Sequence, residues 1–240
     1  PLENRALDLW SILSFVNPGY LGTRAAFSER FDALDAPPHA RSLLIAKLRP
    51  VLLRRTKLAV APDLPARIEE RCDCELTKGQ RQLYLAELRR SRALVEALSA
   101  TPGGVARNKI TVLAALTRLR QICCHPALAG GDPSLGSGKF DALMEILEPL
   151  LAEGHKVLVF SQFVSLLKLL QPALAERGMR QHFLSGQTIK REQVVADFQN
   201  DPDPCVFLVS LTAGGPGPNL TAASYVVLFD PSCNPTVAAQ

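Results

Sequence analysis

The spacing of apolar residues along the chain changes near residue 136. Before that point apolar residues recur three and four positions apart, a spacing that places them on one face of an α-helix. Alternating apolar and polar residues over 67–76 predict a strand in this otherwise helical part. Helical spacing covers residues 7–31, where Asn17-Pro18-Gly19 interrupts it. Further helices are predicted over 40–48, 77–98 and 108–122.

After residue 136, helical segments alternate with short, almost wholly apolar runs. The helical spacing covers 139–152, 164–177 and 189–198. The apolar runs predict three buried strands, at 156–161, 205–210 and 225–229, and a short strand at 182–185. Buried strands between helices are typical of a parallel sheet with helices on both faces. We therefore predict an α/β fold for residues 136–240, preceded by a mainly helical region.

The composition is that of an ordinary globular protein. The chain has 240 residues, of which 47% are hydrophobic and 21% charged, which excludes a mostly disordered chain. No apolar run reaches the roughly 20 residues of a membrane helix, and the sequence shows no signal peptide. The six cysteines are accordingly expected to be reduced thiols. They lack the paired spacing of a zinc site, so we expect no metal site.

Basic residues are concentrated in the first two-thirds of the chain. The segment 41–57 carries only basic charges, although the net charge of the whole chain is only +4. Two interpretations are open: solvated helix faces, or a surface that follows nucleic-acid phosphates. Further basic residues follow at Lys78, Arg81, Arg89, Arg90, Arg92, Arg107, Lys109, Arg118 and Arg120.

The segments that follow the predicted strands are polar or rich in glycine. In an open parallel sheet, ligands bind at the carboxyl ends of the strands. The sequence SLTAGGPGPNLTAA at 210–223 has small residues that let the backbone approach a phosphate, although a plain turn into a short helix is the alternative. The four segments are 161–162, 185–188, 210–219 and 230–234.

The sequence contains no phosphate loop for ATP. The segment GDPSLGSGKF at 131–140 places Phe140 after the lysine, where the motif requires serine or threonine. No Asp-Glu pair is available for a catalytic magnesium ion. Cys123, Cys124 and His125 are neighbours in sequence, which is weak support for nucleophilic catalysis.

An ordered series of motifs resembles the SWI/SNF-type ATPases of helicase superfamily two, over essentially the whole chain. The first part resembles the end of that family's first RecA-like lobe and its inter-lobe region. The later part resembles the second lobe, with its motifs in the same order. The matching segments are 1–22, 48–57, 63–84, 119–126, 137–143, 157–163, 184–188, 208–231 and 234–235.

The resemblance implies an ATP-dependent translocase on double-stranded DNA that remodels protein–DNA complexes. It implies three segments: the end of the first lobe with a helical protrusion at 1–58, a helical inter-lobe region at 59–135, and a second RecA-like lobe at 136–240. It also implies that ATP and Mg²⁺ are held mainly by motifs before residue 1, and that a further arginine-bearing motif follows residue 240. The 240 residues alone are then expected to be inactive.

The resemblance further implies roles for individual residues, with no catalytic or metal-binding residue within the chain. Two prolines, Pro216 and Pro218, depart from the family pattern and point to a weakened motor. The residues assigned to the DNA backbone are Ser161, Gln162, Gly186, Thr188, Thr212, Ala213 and Gly214. Those assigned to the nucleotide are Gly215, Gly217, Asn219 and Gln240, and those that brace the lobes are Arg54, Arg55 and Lys57.

The implied partners are double-stranded DNA and a DNA-bound protein complex, without a membrane. The expected location is the cytoplasm, on the nucleoid, in a bacterium, or the nucleus in a eukaryote. The alternative function is a non-catalytic module that binds DNA or docks a protein and derives from such a lobe.

Overall fold

A computed structural model describes residues 6–32, 39–53, 55, 60, 68–101, 103–211 and 220–230. The chain forms two compact units, and the sequence boundary between them lies between Arg71 and Cys72. The division into segments 1–58, 59–135 and 136–240 stays a prediction.

The first unit is helical, as its apolar spacing predicts. Helix α1 spans Ala6–Val16, α2 spans Arg24–Phe27 and runs into a π-helical turn at Ser28–Asp32, and α3 spans Ala40–Leu48. Their apolar faces bury a small core around the fully enclosed ring of Phe27. The other buried members of this core are Leu13, Leu21, Leu44 and Leu48.

The second unit begins with a pair of packed helices. Helix α4 spans Lys78–Ser99, a single turn α5 spans Gly104–Arg107, and α6 spans Lys109–Cys124 and packs along α4. Gly103 separates α4 from α5 with a φ of +69°, a left-handed conformation that favours glycine. The helices predicted over 77–98 and 108–122 are thereby confirmed.

The strand predicted over 67–76 is wrong. Residues 68–77 form neither a helix nor a strand, and no described strand pairs with them. The Ile68 side chain, which the alternation would bury, is 92% exposed. A strand needs a neighbour to satisfy its backbone N–H and C=O groups, and alternation alone does not supply one.

The rest of the second unit is a three-layer α/β structure, which confirms the predicted fold class. Helices α7 (Gly138–Ala152), α8 (Val164–Glu176) and α9 (Arg191–Asn200) alternate with the strands. The strands are β1 (Val157–Ser161), β2 (Gln181–Leu184), β3 (Val206–Ser210) and β4 (Tyr225–Leu228). All pairs are parallel, in the spatial order β2-β3-β1-β4.

The two faces of the sheet bury separate clusters. Helices α7 and α8 pack leucines such as Leu147 and Leu170 onto Val159 of β1 and Leu208 of β3. On the opposite face, Phe198 of α9 stacks on Phe207 of β3 with ring centroids 4.7 Å apart, both rings fully buried. The central strands are thus covered on both sides, which explains their continuous apolar sequences.

Strand β4 differs from its predicted burial. Its Tyr225 and Val226 side chains are 41% and 57% exposed, and Leu228 is 39% exposed. Among the described strands β4 lies at the edge of the sheet, next to β1 only. Apolar composition predicted the strand correctly but does not distinguish an edge strand from a central one.

A single glutamine joins the helical pair to the α/β layers. The side chain of Gln80, in the first turn of α4, is completely buried. Its Nε2 donates to the carbonyl oxygens of Ile122 (2.7 Å) and Cys123 (3.2 Å) at the end of α6. Its Oε1 accepts the N–H groups of Thr77 (3.3 Å) and of Gly138 (3.4 Å), where α7 begins. This Gln80 junction therefore satisfies backbone groups on three helices at once.

Candidate nucleic-acid interface

The strand ends that precede the segments predicted to bind ligands lie along one side of the sheet, its carboxyl edge. Ser161 at the end of β1 is in register with Ser210 at the end of β3, and Leu184 at the end of β2 pairs with Val209. Strand β3 separates β1 from β2. Neighbouring strands lie about 4.8 Å apart, so the segments that follow β1 and β2 are about 10 Å apart.

The segment after β1 is held by a network of hydrogen bonds. The Ser161 side chain is buried, and its Oγ accepts the N–H of Phe163 at 3.0 Å. The backbone N–H of Gln162 donates to Oδ2 of Asp230 (3.2 Å), and its side-chain Oε1 accepts from Nη1 of Arg120 on α6 (3.3 Å). The network therefore connects α6, the end of β1 and the segment after β4.

Asp230 is a buried carboxyl group at the centre of this network. Burial raises its pKa, while hydrogen bonds from Ser161 and Gln162 partly oppose that rise. Its Oδ1 and the Nε2 of Gln162 are both buried and have no hydrogen-bond partner among the described residues. One oxygen of the buried carboxyl group and the amide nitrogen of the neighbouring Gln162 thus lack a described partner, and buried polar atoms without partners cost stability.

We expect Asp230→Asn to make the second unit more stable at pH 7.5. A carboxyl group with a raised pKa in the folded state stabilises the fold below its unfolded pKa near 4, and this contribution is lost as pH rises through the folded pKa. Asparagine keeps an oxygen for the Gln162 N–H without the charge. Urea unfolding between pH 4 and 8 measures the effect, with Asp197→Asn, an exposed carboxylate on α9, as control. A variant less stable than wild type at pH 7.5 would contradict this expectation.

The segment after β2 forms a tight turn. The Ser185 N–H donates to Oγ1 of Thr188 (3.0 Å), and the Thr188 N–H donates to the Ser185 carbonyl (3.1 Å). The turn leaves Gly186 exposed, with its carbonyl accepting from Nη2 of Arg191 (3.2 Å), and leaves Lys190 exposed as well. The turn therefore presents backbone and positive charge to solvent at the carboxyl edge of the sheet.

Of the other residues assigned from the resemblance, the structure describes only Arg55. Arg55 is exposed in the first unit. The remaining residues lie outside the described ranges: Arg54, Lys57, Thr212, Ala213, Gly214, Gly215, Gly217, Asn219 and Gln240.

The structure adds Arg120 and Lys190, which lie outside the predicted strand-end segments, and shows what Asp230, the first residue of the predicted segment 230–234, contacts. Arg120 and Asp230 hold Gln162 from opposite ends, and Lys190 extends the turn after β2. The position of Asp230 directly after a predicted strand already indicated that it lies at the carboxyl edge of the sheet. Arg120 and Gln162 are 42 positions apart, and no local pattern indicates their contact.

One group of possible metal ligands occurs in the described residues, at the other end of the sheet. His182, Asp201 and Cys205 bring three ligand atoms within 4.8 Å of one another. Nε2 of His182 already contacts Oδ2 of Asp201 at 3.0 Å, and Arg180 pairs with the same carboxylate at 3.3 Å. These partners lower the pKa of Asp201, and burial raises the pKa of Cys205 to about 11. The group is therefore explained as a structural ion-pair network around a protonated thiol.

No helix within the described ranges is both long and apolar enough to cross a bilayer. Three-layer packing, an all-parallel sheet and polar segments at its carboxyl edge together define the class as a doubly wound α/β unit, which agrees with the RecA-like lobe that the resemblance implies.

Comparisons with known proteins place this unit in a family. The model of the SNF2-related domain matches residues 1–128, and that of the helicase conserved C-terminal domain matches residues 138–240. The chain therefore belongs to the SNF2 family of helicase-related proteins, which confirms the resemblance.

The chain is similar to helicase-like proteins from bacteria. It is 33% identical over 242 residues to an ATP-dependent helicase of Mycoplasma pneumoniae, covering all of this chain and 23% of that protein. It is 35% identical over 253 residues to the putative ATP-dependent helicase/translocase YwqA of Bacillus subtilis, covering all of this chain and 27% of that protein. The chain thus spans about a quarter of the length of these relatives.

Two solved archaeal structures show the same fold. The Sulfolobus solfataricus SWI2/SNF2 ATPase core domain is 35% identical, with a TM-score of 0.64, over all of this chain and 51% of that one. The Sulfolobus solfataricus core in complex with double-stranded DNA is 34% identical, with a TM-score of 0.60, over 95% of this chain and 50% of that one.

Proposed function

We propose that the protein containing this chain is an ATP-dependent translocase on double-stranded DNA that remodels protein–DNA complexes. Support comes from membership of the SNF2 family, from a relative named as a helicase/translocase, and from an archaeal relative solved with double-stranded DNA. Because the chain spans only part of these proteins, the activity proposed is that of the whole protein.

In this proposal the carboxyl edge of the sheet binds the DNA backbone. The observation that carries it is the common edge shared by the segments after β1 and β2, about 10 Å apart, with Gly186 and Lys190 exposed at the turn. Contacts to phosphates hold a duplex in position without reading its sequence. Ser161, whose side chain is buried, supports this edge by fixing the backbone at Phe163 rather than by touching DNA.

The proposal assigns ATP and Mg²⁺ mainly to a first lobe outside these 240 residues. The nucleotide residues implied by the resemblance, Gly215, Gly217, Asn219 and Gln240, lie outside the described ranges, and no described residue is assigned to the nucleotide. Bound ATP would supply the free energy for movement. What the described residues contribute is the DNA-facing edge and the network that fixes Gln162.

Charge reversal at Lys190 tests the DNA-binding edge. We expect the 240-residue chain to bind a labelled duplex at about 50 mM salt, and Lys190→Glu to weaken binding several-fold and reduce the salt dependence by about one counterion. Fluorescence anisotropy measures both quantities. Lys168→Glu, an exposed lysine on α8, makes the same charge change away from the edge and is the control. Equal losses in the two variants would refute the assignment of this edge.

A measurement of ATP hydrolysis distinguishes the proposed translocase from the non-catalytic alternative. The chain alone is expected to show no ATPase activity with or without duplex DNA, because it has no phosphate loop. The whole protein is expected to show ATPase activity that duplex DNA stimulates. A whole protein that binds duplex DNA but never hydrolyses ATP would instead establish the DNA-binding or docking module.

A further inference from the structure

Helix α4 carries a row of exposed basic side chains on one side. The residues of this α4 basic row are Lys78, Arg81, Arg89 and Arg92. At 100° per residue their positions fall within a sector of about 80°, and at 1.5 Å per residue they extend over about 21 Å. The buried residues of α4, Gln80 and Ser91, lie on the opposite side of the helix. The row therefore faces away from the packing surface with α6.

The four cations have no partners within the part of the protein that the structure describes. None of them takes part in a hydrogen bond or ion pair with a described residue. The acidic residue in the middle of α4, Glu87, is used elsewhere, since its Oε2 pairs with Nε of Arg118 on α6 at 3.1 Å. One acid, Glu96, follows at the far end of the same side.

Like charges make this arrangement unfavourable for the helix by itself. Lys78 and Arg81 are three positions apart, as are Arg89 and Arg92, and like charges at this spacing repel each other on a helix surface. An anionic partner that lies along the helix would remove the repulsion. Since no part of the described protein does so, the partner is expected to be another molecule.

We propose that the α4 basic row binds the phosphate backbone of duplex DNA, as a contact surface separate from the strand-end segments. This inference rests on the proposed function. A duplex carries one negative charge per about 1.7 Å of its axis when both strands are counted, so about 21 Å of duplex, the length of the row, carries about a dozen charges. Three of the four side chains are arginines, whose planar guanidinium groups match phosphate oxygens in pairs.

The side chains between the cations favour a duplex over a single strand. Leu85 and Leu88 line a shallow depression together with Arg89 and Arg92. The one aromatic residue of α4, Tyr84, lies toward the buried side and is half-buried. Single-strand binding uses exposed aromatic rings as stacking platforms, and this surface offers none. The row therefore suits the backbone of a paired nucleic acid.

A matched pair of neighbouring arginines tests the inference. Arg89→Glu reverses a charge in the row, and Arg90→Glu makes the same change one residue later, about 100° around the helix. Glutamate is a good helix former, so both variants should fold, and thermal unfolding checks that they do. We expect Arg89→Glu and Arg92→Glu each to weaken duplex binding by the chain roughly 3- to 10-fold and to lower the salt dependence by about one counterion. Arg90→Glu is expected to change affinity less than about twofold.

The outcomes separate this inference from the proposed function. If the wild-type chain binds the duplex, Lys190→Glu weakens binding, and Arg89→Glu behaves like Arg90→Glu, the inference is overturned while the proposed function stands. If the chain does not bind a duplex at low salt, both are overturned. A third comparison uses polyglutamate to test whether the partner of the row is an acidic protein segment. Tighter binding of polyglutamate than of the duplex by wild type at equal charge concentration, with that preference lost in Arg89→Glu, would assign the row to an acidic protein segment instead.

Discussion

Replacement of Gln80 by leucine is expected to lower the free energy of unfolding of the second unit by about 3 kcal/mol or more. The glutamine side chain is completely buried and makes four hydrogen bonds to backbone groups. Leucine has a similar size but leaves two carbonyl oxygens and two N–H groups without that partner. Each buried polar group left unsatisfied costs about 1–3 kcal/mol.

Gln82→Leu is the matched control, since Gln82 is exposed two residues later on the same helix. Its replacement is expected to change stability by less than about 0.5 kcal/mol. Urea unfolding, followed by circular dichroism, measures both variants. Equal stability of Gln80→Leu and Gln82→Leu would show that the Gln80 junction does not hold the three helices together.

Gly138→Ala is expected to destabilise the same junction by about 2–3 kcal/mol. A Cβ atom at this position would lie 1.8 Å from the carbonyl oxygen of Glu75, a backbone atom that cannot move without shifting its segment. Alanine normally stabilises a helix relative to glycine by about 0.5–1 kcal/mol, so the expected sign is the reverse of the helix propensity.

Gly79→Ala provides the comparison for this prediction. Its added Cβ meets the Cδ2 of Leu135 at 2.6 Å, and that atom is the end of a flexible side chain. We therefore expect Gly79→Ala to cost less than Gly138→Ala. Thermal unfolding of the two variants decides the point, and a Gly138→Ala protein at least as stable as wild type would contradict the close approach to Glu75.

The α/β layers could be predicted from the sequence because each of their strands is a local apolar signal. The runs at 157–161 and 206–210 are buried on both faces, and such strands need almost every residue apolar. The alternation at 68–76 led to a wrong strand prediction. Cys72, Cys74 and Leu76 alternate with polar residues there, but no described strand pairs with them. Strand pairing is a long-range property that a local pattern does not contain.

The candidate site was predictable in part. The strand ends gave Ser161, Gln162, Gly186 and Thr188, because the carboxyl edge of a parallel sheet follows from the order of helices and strands. The contact of Arg120 with Gln162 joins residues 42 positions apart and depends on how α6 packs. The charges of the α4 basic row were visible in the sequence, but only the structure shows that they have no acidic partner among the described residues.

The cysteine beside the Gln80 junction gives the molecule a built-in chemical reporter. Cys124 ends α6, its carbonyl accepts from Oγ of Ser137 at 2.6 Å, and burial raises the pKa of its thiol to about 12. A protonated, enclosed thiol reacts slowly with alkylating reagents, whereas Cys72 is exposed. The rate at which Cys124 is alkylated is therefore set by how often α6 separates from α7. Mass spectrometry of the alkylated protein thus measures this local opening at a native cysteine, without an engineered probe.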